Sequence, residues 1–235
     1  MTVIFLSFLF LLIAELRVMT VSESSLLPVL LSLFAGSAMW YLSRRFNVSV
    51  LAGVYGACVA ILLSFVSRGL VAHSIVACAA VLWYAFMYAV VSRRPRGVVL
   101  ISFAEVVALY FAVLVWYAFA HISLFLALTI ITVGTALIFY NAMMVMCSLG
   151  MWLRVRLFIF SLVVGVMMAE LFSVFSKLPF HIANIDFLLF FVYYIVWDIT
   201  LRYFSMRFTK RALVVNAVLL LVSFGVILAS VRWLP

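Results

Sequence analysis

Long apolar stretches separated by short charged knots recur from one end of the chain to the other. At roughly 20 residues per ~30 Å of hydrocarbon, each stretch is long enough to cross a bilayer once as an α-helix. The pattern predicts about nine short spans. They run over Thr2 to Val18, Leu26 to Leu42, Val50 to Val66, Leu70 to Val91, Val98 to Ala120, Ser123 to Leu149, Leu157 to Leu178, Ile182 to Phe204 and Ala212 to Trp233. The boundary between the fifth and sixth is set by length, because only Glu105 is charged between Val98 and Leu149. One helix over those ~52 residues would be ~78 Å long, far thicker than a bilayer. A turn at Ala120-His121-Ile122-Ser123 divides the stretch into two crossings. The expected fold is all-α: a polytopic transmembrane helix bundle forming a single integral membrane domain over residues 1–235. Met1 to Ala14 is as apolar as a signal-peptide core but lacks a basic n-region and a small-residue cleavage site, so it is read as the first helix.

Composition excludes the other classes. The 235 residues are 71% apolar and 9% charged, with a mean hydropathy of +1.43. A soluble domain needs more charge to cover its surface, and a disordered chain has the opposite balance. The net charge of +9 would suit an acidic partner, but the basic residues lie mostly in short connections and form no stripe for nucleic acid. The lipid bilayer is the expected partner, with other membrane proteins or further copies of the chain beside it. A nine-span path divides the 15 basic residues 11 against 4. One side holds Arg44, Arg45, Arg93, Arg94, Arg96, Arg154, Arg156, Arg202, Arg207, Lys210 and Arg211; the other holds Arg17, Arg68, Lys177 and Arg232. Basic loops stay cytoplasmic, which places the N-terminus inside and the C-terminus outside. The default location is a bacterial cytoplasmic membrane. Trp40, Trp116, Trp152 and Trp233 fall near span ends, where indoles anchor at the interface; Trp83 and Trp197 lie deeper and should pack between helices.

Packing and chemistry are carried by few residues. Small side chains let helices approach in lipid, and the stripes Ala52-Gly56-Ala60 and Ser161-Gly165-Ala169 are read as contact faces. Cys58, Cys78 and Cys147 form no CxxC pair and behave as small apolar residues. Ser43-Arg44-Arg45 and Ser92-Arg93-Arg94 recur as a basic knot between hairpin helices, which the charge rule alone accounts for. Carboxylates in a span are costly, at least ~2.5 kcal/mol near mid-bilayer. Glu15 has Arg17 as a neighbour, and Asp198 has Arg202 one helical turn on, an i,i+4 ion pair. Glu170 and Glu105 have no local partner, and helical rise puts them ~20 Å and ~12 Å into the membrane from the inner ends of their spans. They are the candidate transport carboxylates, Glu170 first. Its alternative role, and that of Glu105, is a hydrogen bond that sets helix register. His73, His121 and His181 all fall near the outer face, with Asp186 close by. The four are a second, weaker candidate cluster, but their spacing matches no metal motif and interfacial hydrogen bonding is the plainer reading.

No catalytic residue, metal ligand set or cofactor is identified. There is no mid-span lysine for a retinal Schiff base, no HExxH, GxSxG, Walker or GxGxxG run, and no Cys, His and Arg at one depth for a cysteine-dependent transferase. Three functions fit what remains. The first is a carrier or channel for an ion or small solute using buried carboxylates. The second is a structural membrane subunit of a larger complex. The third is an intramembrane enzyme acting on a lipid or isoprenoid, with Phe190 to Trp197 lining a hydrocarbon slot. The topology is tested by reporter fusions after Arg96 and after Pro235, which should report opposite compartments. The same compartment for both would replace nine spans by eight.

Overall fold

Backbone N–H and C=O groups in hydrocarbon have no water to bond, so a chain this apolar satisfies them internally as helices. The computed structural model describes residues 2–19, 26–65, 70–92, 95–119, 122–147, 151–178, 181–205, 209, 214–219, 221, 222, 225 and 229. Eight helices are formed by these residues: α1 (Thr2–Met19), α2 (Leu26–Ser43), α3 (Phe46–Phe65), α4 (Leu70–Val91), α5 (Pro95–Phe119), α6 (Leu124–Met146), α7 (Met151–Phe175) and α8 (Ile182–Phe204). The described residues contain no strand. Six helices, α3 to α8, are long and apolar enough to cross a membrane; α1 and α2 contain shorter apolar segments, Thr2–Glu15 and Val29–Ser43. Of the ninth predicted span, 214–219 is described as a continuous helical segment.

The helix ends follow local chemistry. Pro28 sits in the first turn of α2 and Pro95 opens α5, positions where the missing N–H has no helical partner to lose. Arg44 ends α2 in the left-handed region (φ 54°), with its N–H bonded to the Trp40 carbonyl at 2.9 Å. The Ser43 hydroxyl accepts from Arg45 N–H, and α3 begins at once. Ser123 caps α6 by accepting the Leu126 N–H, so the turn predicted from length alone separates α5 from α6. One boundary differs clearly: α7 starts at Met151, well before Leu157. Hydropathy detects the part of a helix immersed in hydrocarbon, whereas hydrogen bonding continues through the interface, where the long side chains of Arg154 and Arg156 reach water.

Packing centres on α5, which meets α3, α4, α6 and α8, while α1 packs mainly on α4, α2 on α3, and α7 on α6. Two aromatic nodes lie inside. Phe10, Tyr55 and Trp83 stack at 5.0–6.1 Å and join α1, α3 and α4. Phe103, Phe139, Tyr193 and Trp197 meet at 5.4–6.4 Å and join α5, α6 and α8. Such pairs contribute about 0.5–1.5 kcal/mol each beyond area burial. Trp83 and Trp197 thus pack between helices as expected, and Trp40 and Trp152 are exposed at helix ends. Many large apolar side chains of the described residues face outward, among them Phe5, Leu33, Phe125 and Val163, a surface suited to acyl chains rather than water.

Both small-residue stripes are buried contact faces. A Cβ on Gly56 would lie 2.7 Å from the Leu31 carbonyl oxygen and 3.1 Å from the Ala35 Cβ, and one on Gly165 would collide with the Thr132 carbonyl. The α2–α3 contact is also hydrogen-bonded in both directions. Ser32 Oγ donates to the Gly53 carbonyl at 2.8 Å and Ser49 Oγ to the Gly36 carbonyl at 2.6 Å. Gly56→Leu should therefore force α2 and α3 apart and destabilise the protein by roughly 1–3 kcal/mol. Gly225, where a Cβ meets nothing within 4 Å among the described residues, should accept leucine without effect. Thermal unfolding in detergent measures both, and equal melting temperatures for Gly56→Leu and the parent would refute the contact-face assignment.

Candidate functional site

Glu105 lies near the middle of α5 with 0% of its surface exposed. Neither carboxylate oxygen has a partner among the described residues. The position follows from the helix face: Leu100 and Phe111 mark the exposed side of α5, and Glu105 lies some 120–140° around the helix from them at ~100° per residue, on the side packed against neighbouring helices. The side chain is surrounded by α3 and α8. Cys58 Sγ approaches the Glu105 backbone carbonyl at 4.0 Å, and Tyr55, Cys58 and Tyr193 are all within electrostatic range of the carboxyl group. The Tyr55 hydroxyl is already committed, donating to the Ala79 carbonyl at 2.6 Å.

Further polar groups on α5 and α8 interact electrostatically with Glu105 or with one another. Tyr193 is within range of both Glu105 and Tyr110, and Tyr110 of Asp186. Asp186 and Tyr193 are seven residues apart, about two helical turns, and so share one face of α8. That face packs on α5. The Tyr110 hydroxyl and Thr135 Oγ1 are 3.0 Å apart, tying Tyr110 to α6. Tyr193 OH and Asp186 Oδ1 are buried without partners among the described residues, as is Trp83 Nε1 in the other aromatic node. Most buried polar atoms in proteins are paired, so unpaired oxygens on Glu105, Tyr193 and Asp186 are the least ordinary feature of the interior. An uncompensated carboxylate charge there would meet a desolvation penalty of several kcal/mol. A proton or a small cation is what would offset it.

The remaining candidates fall elsewhere. Glu170 is exposed, not buried as its depth suggested. Ser161, Gly165 and Ala169 seat α7 on α6, and the next residue is turned ~100° away, onto a face it shares with the exposed Val163, Val166 and Val174. His73 Nδ1 pairs with Glu15 Oε2 at 2.9 Å, joining α1 to α4. Glu15 was expected to pair with Arg17, whose side chain lies outside the described residues. His181 caps α8, its Nδ1 accepting from the Ala183 N–H, while Asp186 turns into the bundle. His121 lies outside the described residues. Among the described residues no three His, Cys, Asp or Glu side chains gather closely enough to hold a metal.

The Asp198–Arg202 pair forms as predicted, with Arg202 Nε donating to Asp198 Oδ2 at 2.7 Å. Asn216 Nδ2 donates to the same oxygen at 2.8 Å, so this carboxylate also docks the 214–219 segment on α8. Residues Phe190 to Trp197, expected to line a hydrocarbon slot, instead contribute Tyr193 and Trp197 to a filled aromatic node. Tyr110, Thr135 and Asn216 were not singled out from sequence, and Tyr193 only as part of the aromatic Phe190–Trp197 segment. The two tyrosines read as apolar positions in a hydropathy pattern, and only the α5–α8 packing brings them within electrostatic range of Glu105 and Asp186. The chain matches no protein-family model, no curated protein and no solved structure.

Proposed function

We propose that the chain is a membrane carrier or channel-like protein for a proton or small cation, with Glu105 as the exchanging group. The observation that carries this reading is the Glu105 carboxyl, fully buried at the centre of the bundle with neither oxygen paired among the described residues. A group fixed there by structure alone would be expected to hold a partner, as Asp198 does. In this reading Tyr193, Tyr110 and Asp186 supply the polar groups on one side of the pathway. In the same proposal the chain spans the membrane nine times, N-terminus inside and C-terminus outside. The 11-to-4 division of basic residues supports that path. So does the Glu15–His73 contact, which brings the end of α1 and the start of α4 to one face, as an odd and an even span require.

A specific observation favours the structural-subunit reading as a second possibility. Glu170 sits on the exposed face of α7 among apolar side chains, where a partner helix bearing a donor would relieve the cost of a carboxyl in lipid. The two readings separate in a proteoliposome flux assay with an entrapped pH-sensitive dye. Glu105→Gln should insert, fold and lose at least tenfold in flux, Glu105→Asp should retain part of it, and Glu170→Gln should stay near the parent. Parent-level flux in Glu105→Gln would remove Glu105 from the pathway. Absence of flux from the unmodified protein, whatever ion is supplied, would put the subunit reading in front.

A further inference from the structure

At one end of the bundle, where α7 begins and α8 ends, the two helices leave a groove of about 470 Å³. Leu153, Phe160, Ile199, Thr200, Tyr203 and Phe204 line it together with Arg156; the Thr200 hydroxyl is committed, donating to the Val196 carbonyl at 2.6 Å. Arg156 is five residues into α7, ~7.5 Å from the helix start, and Tyr203 is one residue from the end of α8. The groove therefore begins at the level where headgroups meet hydrocarbon and runs into the apolar layer. Arg156 is exposed and has no salt bridge among the described residues. Its guanidinium lies over the Trp152 ring at 5.5 Å. Stacking occupies a face of the guanidinium and leaves its N–H edge available, the geometry that grips phosphate oxygens in pairs.

We propose that this groove binds an anionic phospholipid, its phosphate on Arg156 and an acyl chain along Phe160 and Ile199. Each half of the site answers one half of such a molecule. The walls are mainly apolar, with the Thr200 hydroxyl already donated within α8, and suit an acyl chain better than a soluble anion; the guanidinium supplies the charge that a phosphate needs. The charge also suits the surroundings: by the basic-residue asymmetry this is the cytoplasmic end, where anionic lipids draw juxtamembrane Lys and Arg to the surface. The site is separate from Glu105 and does not depend on a transport function.

Native mass spectrometry of the purified full-length chain tests this, with phosphatidylglycerol and phosphatidylcholine of identical acyl chains as probes. The glycerol lipid should be retained about fivefold more than the choline lipid, the effect of one basic residue near the membrane surface. Arg156→Gln should lose that preference and Arg156→Lys should keep part of it; both alter an exposed side chain, and unfolding temperatures without lipid establish that they fold. Ile199→Trp, which fills the groove, should lose retention of both lipids. If that variant does not fold, the Arg156 pair decides alone. Equal retention of the two lipids by the parent, or undiminished preference in Arg156→Gln, would overturn the proposal. So would displacement of phosphatidylglycerol by inorganic phosphate, because the site would then bind a soluble anion.

Discussion

Close approach of helix backbones is the constraint on which this bundle rests. With lipid outside, burying apolar side chains between helices gains little over leaving them in acyl chains, so association depends on packing and on interhelical hydrogen bonds. At α2–α3 the approach is near enough for Ser32 and Ser49 to bond carbonyls of the opposite helix. It leaves no room for a Cβ at Gly56. At α6–α7, Gly165 plays the same part against Thr132 and Ala136. These hairpins brace α3 and α6, and α5 lies packed against both.

The enclosure of α5 has a chemical consequence. A residue on a peripheral helix can turn a costly group outward, as α7 does with Glu170, or pair it at a helix contact, as α1 does with Glu15. Glu105 instead stands on the inward side of α5, opposite the exposed Leu100 and Phe111, within electrostatic range of Tyr55, Cys58 and Tyr193. The aromatic node of Phe103, Phe139, Tyr193 and Trp197 stiffens the same neighbourhood. A carboxyl in a rigid site cannot relax towards water, so its energy is governed by what small positive species can reach it.

Two other carboxylates show the contrast. Asp198 has Arg202 and Asn216 on one oxygen, and Glu15 has His73. Both of these contacts join separate helical segments and are explained as structure: α8 to 214–219 in one case, α1 to α4 in the other. Glu105 and Asp186 have no comparable donors among the described residues, and that difference distinguishes the candidate site from the bundle's ordinary ion pairs.

The apolar runs by themselves determined that this protein is helical and made for a membrane, because period-independent hydropathy over some 20 residues reports the solvent directly. Length alone placed the turn at Ser123, and i,i+4 spacing alone produced the Asp198–Arg202 pair. The stripes at Gly56 and Gly165 were legible for the same reason: they are local, set by residues on one helix. What lies around a helix is not local. Glu105 and Glu170 look alike in sequence, each a lone acid in an apolar span, and only the arrangement of helices buries one and exposes the other. The tyrosine placement and the Arg156 groove were likewise decided by the pairing of α5 with α8 and of α7 with α8. In a chain that is apolar on every helix face, no amphipathic pattern marks which face looks inward; that choice belongs to the packing of small against large side chains across helices distant in sequence.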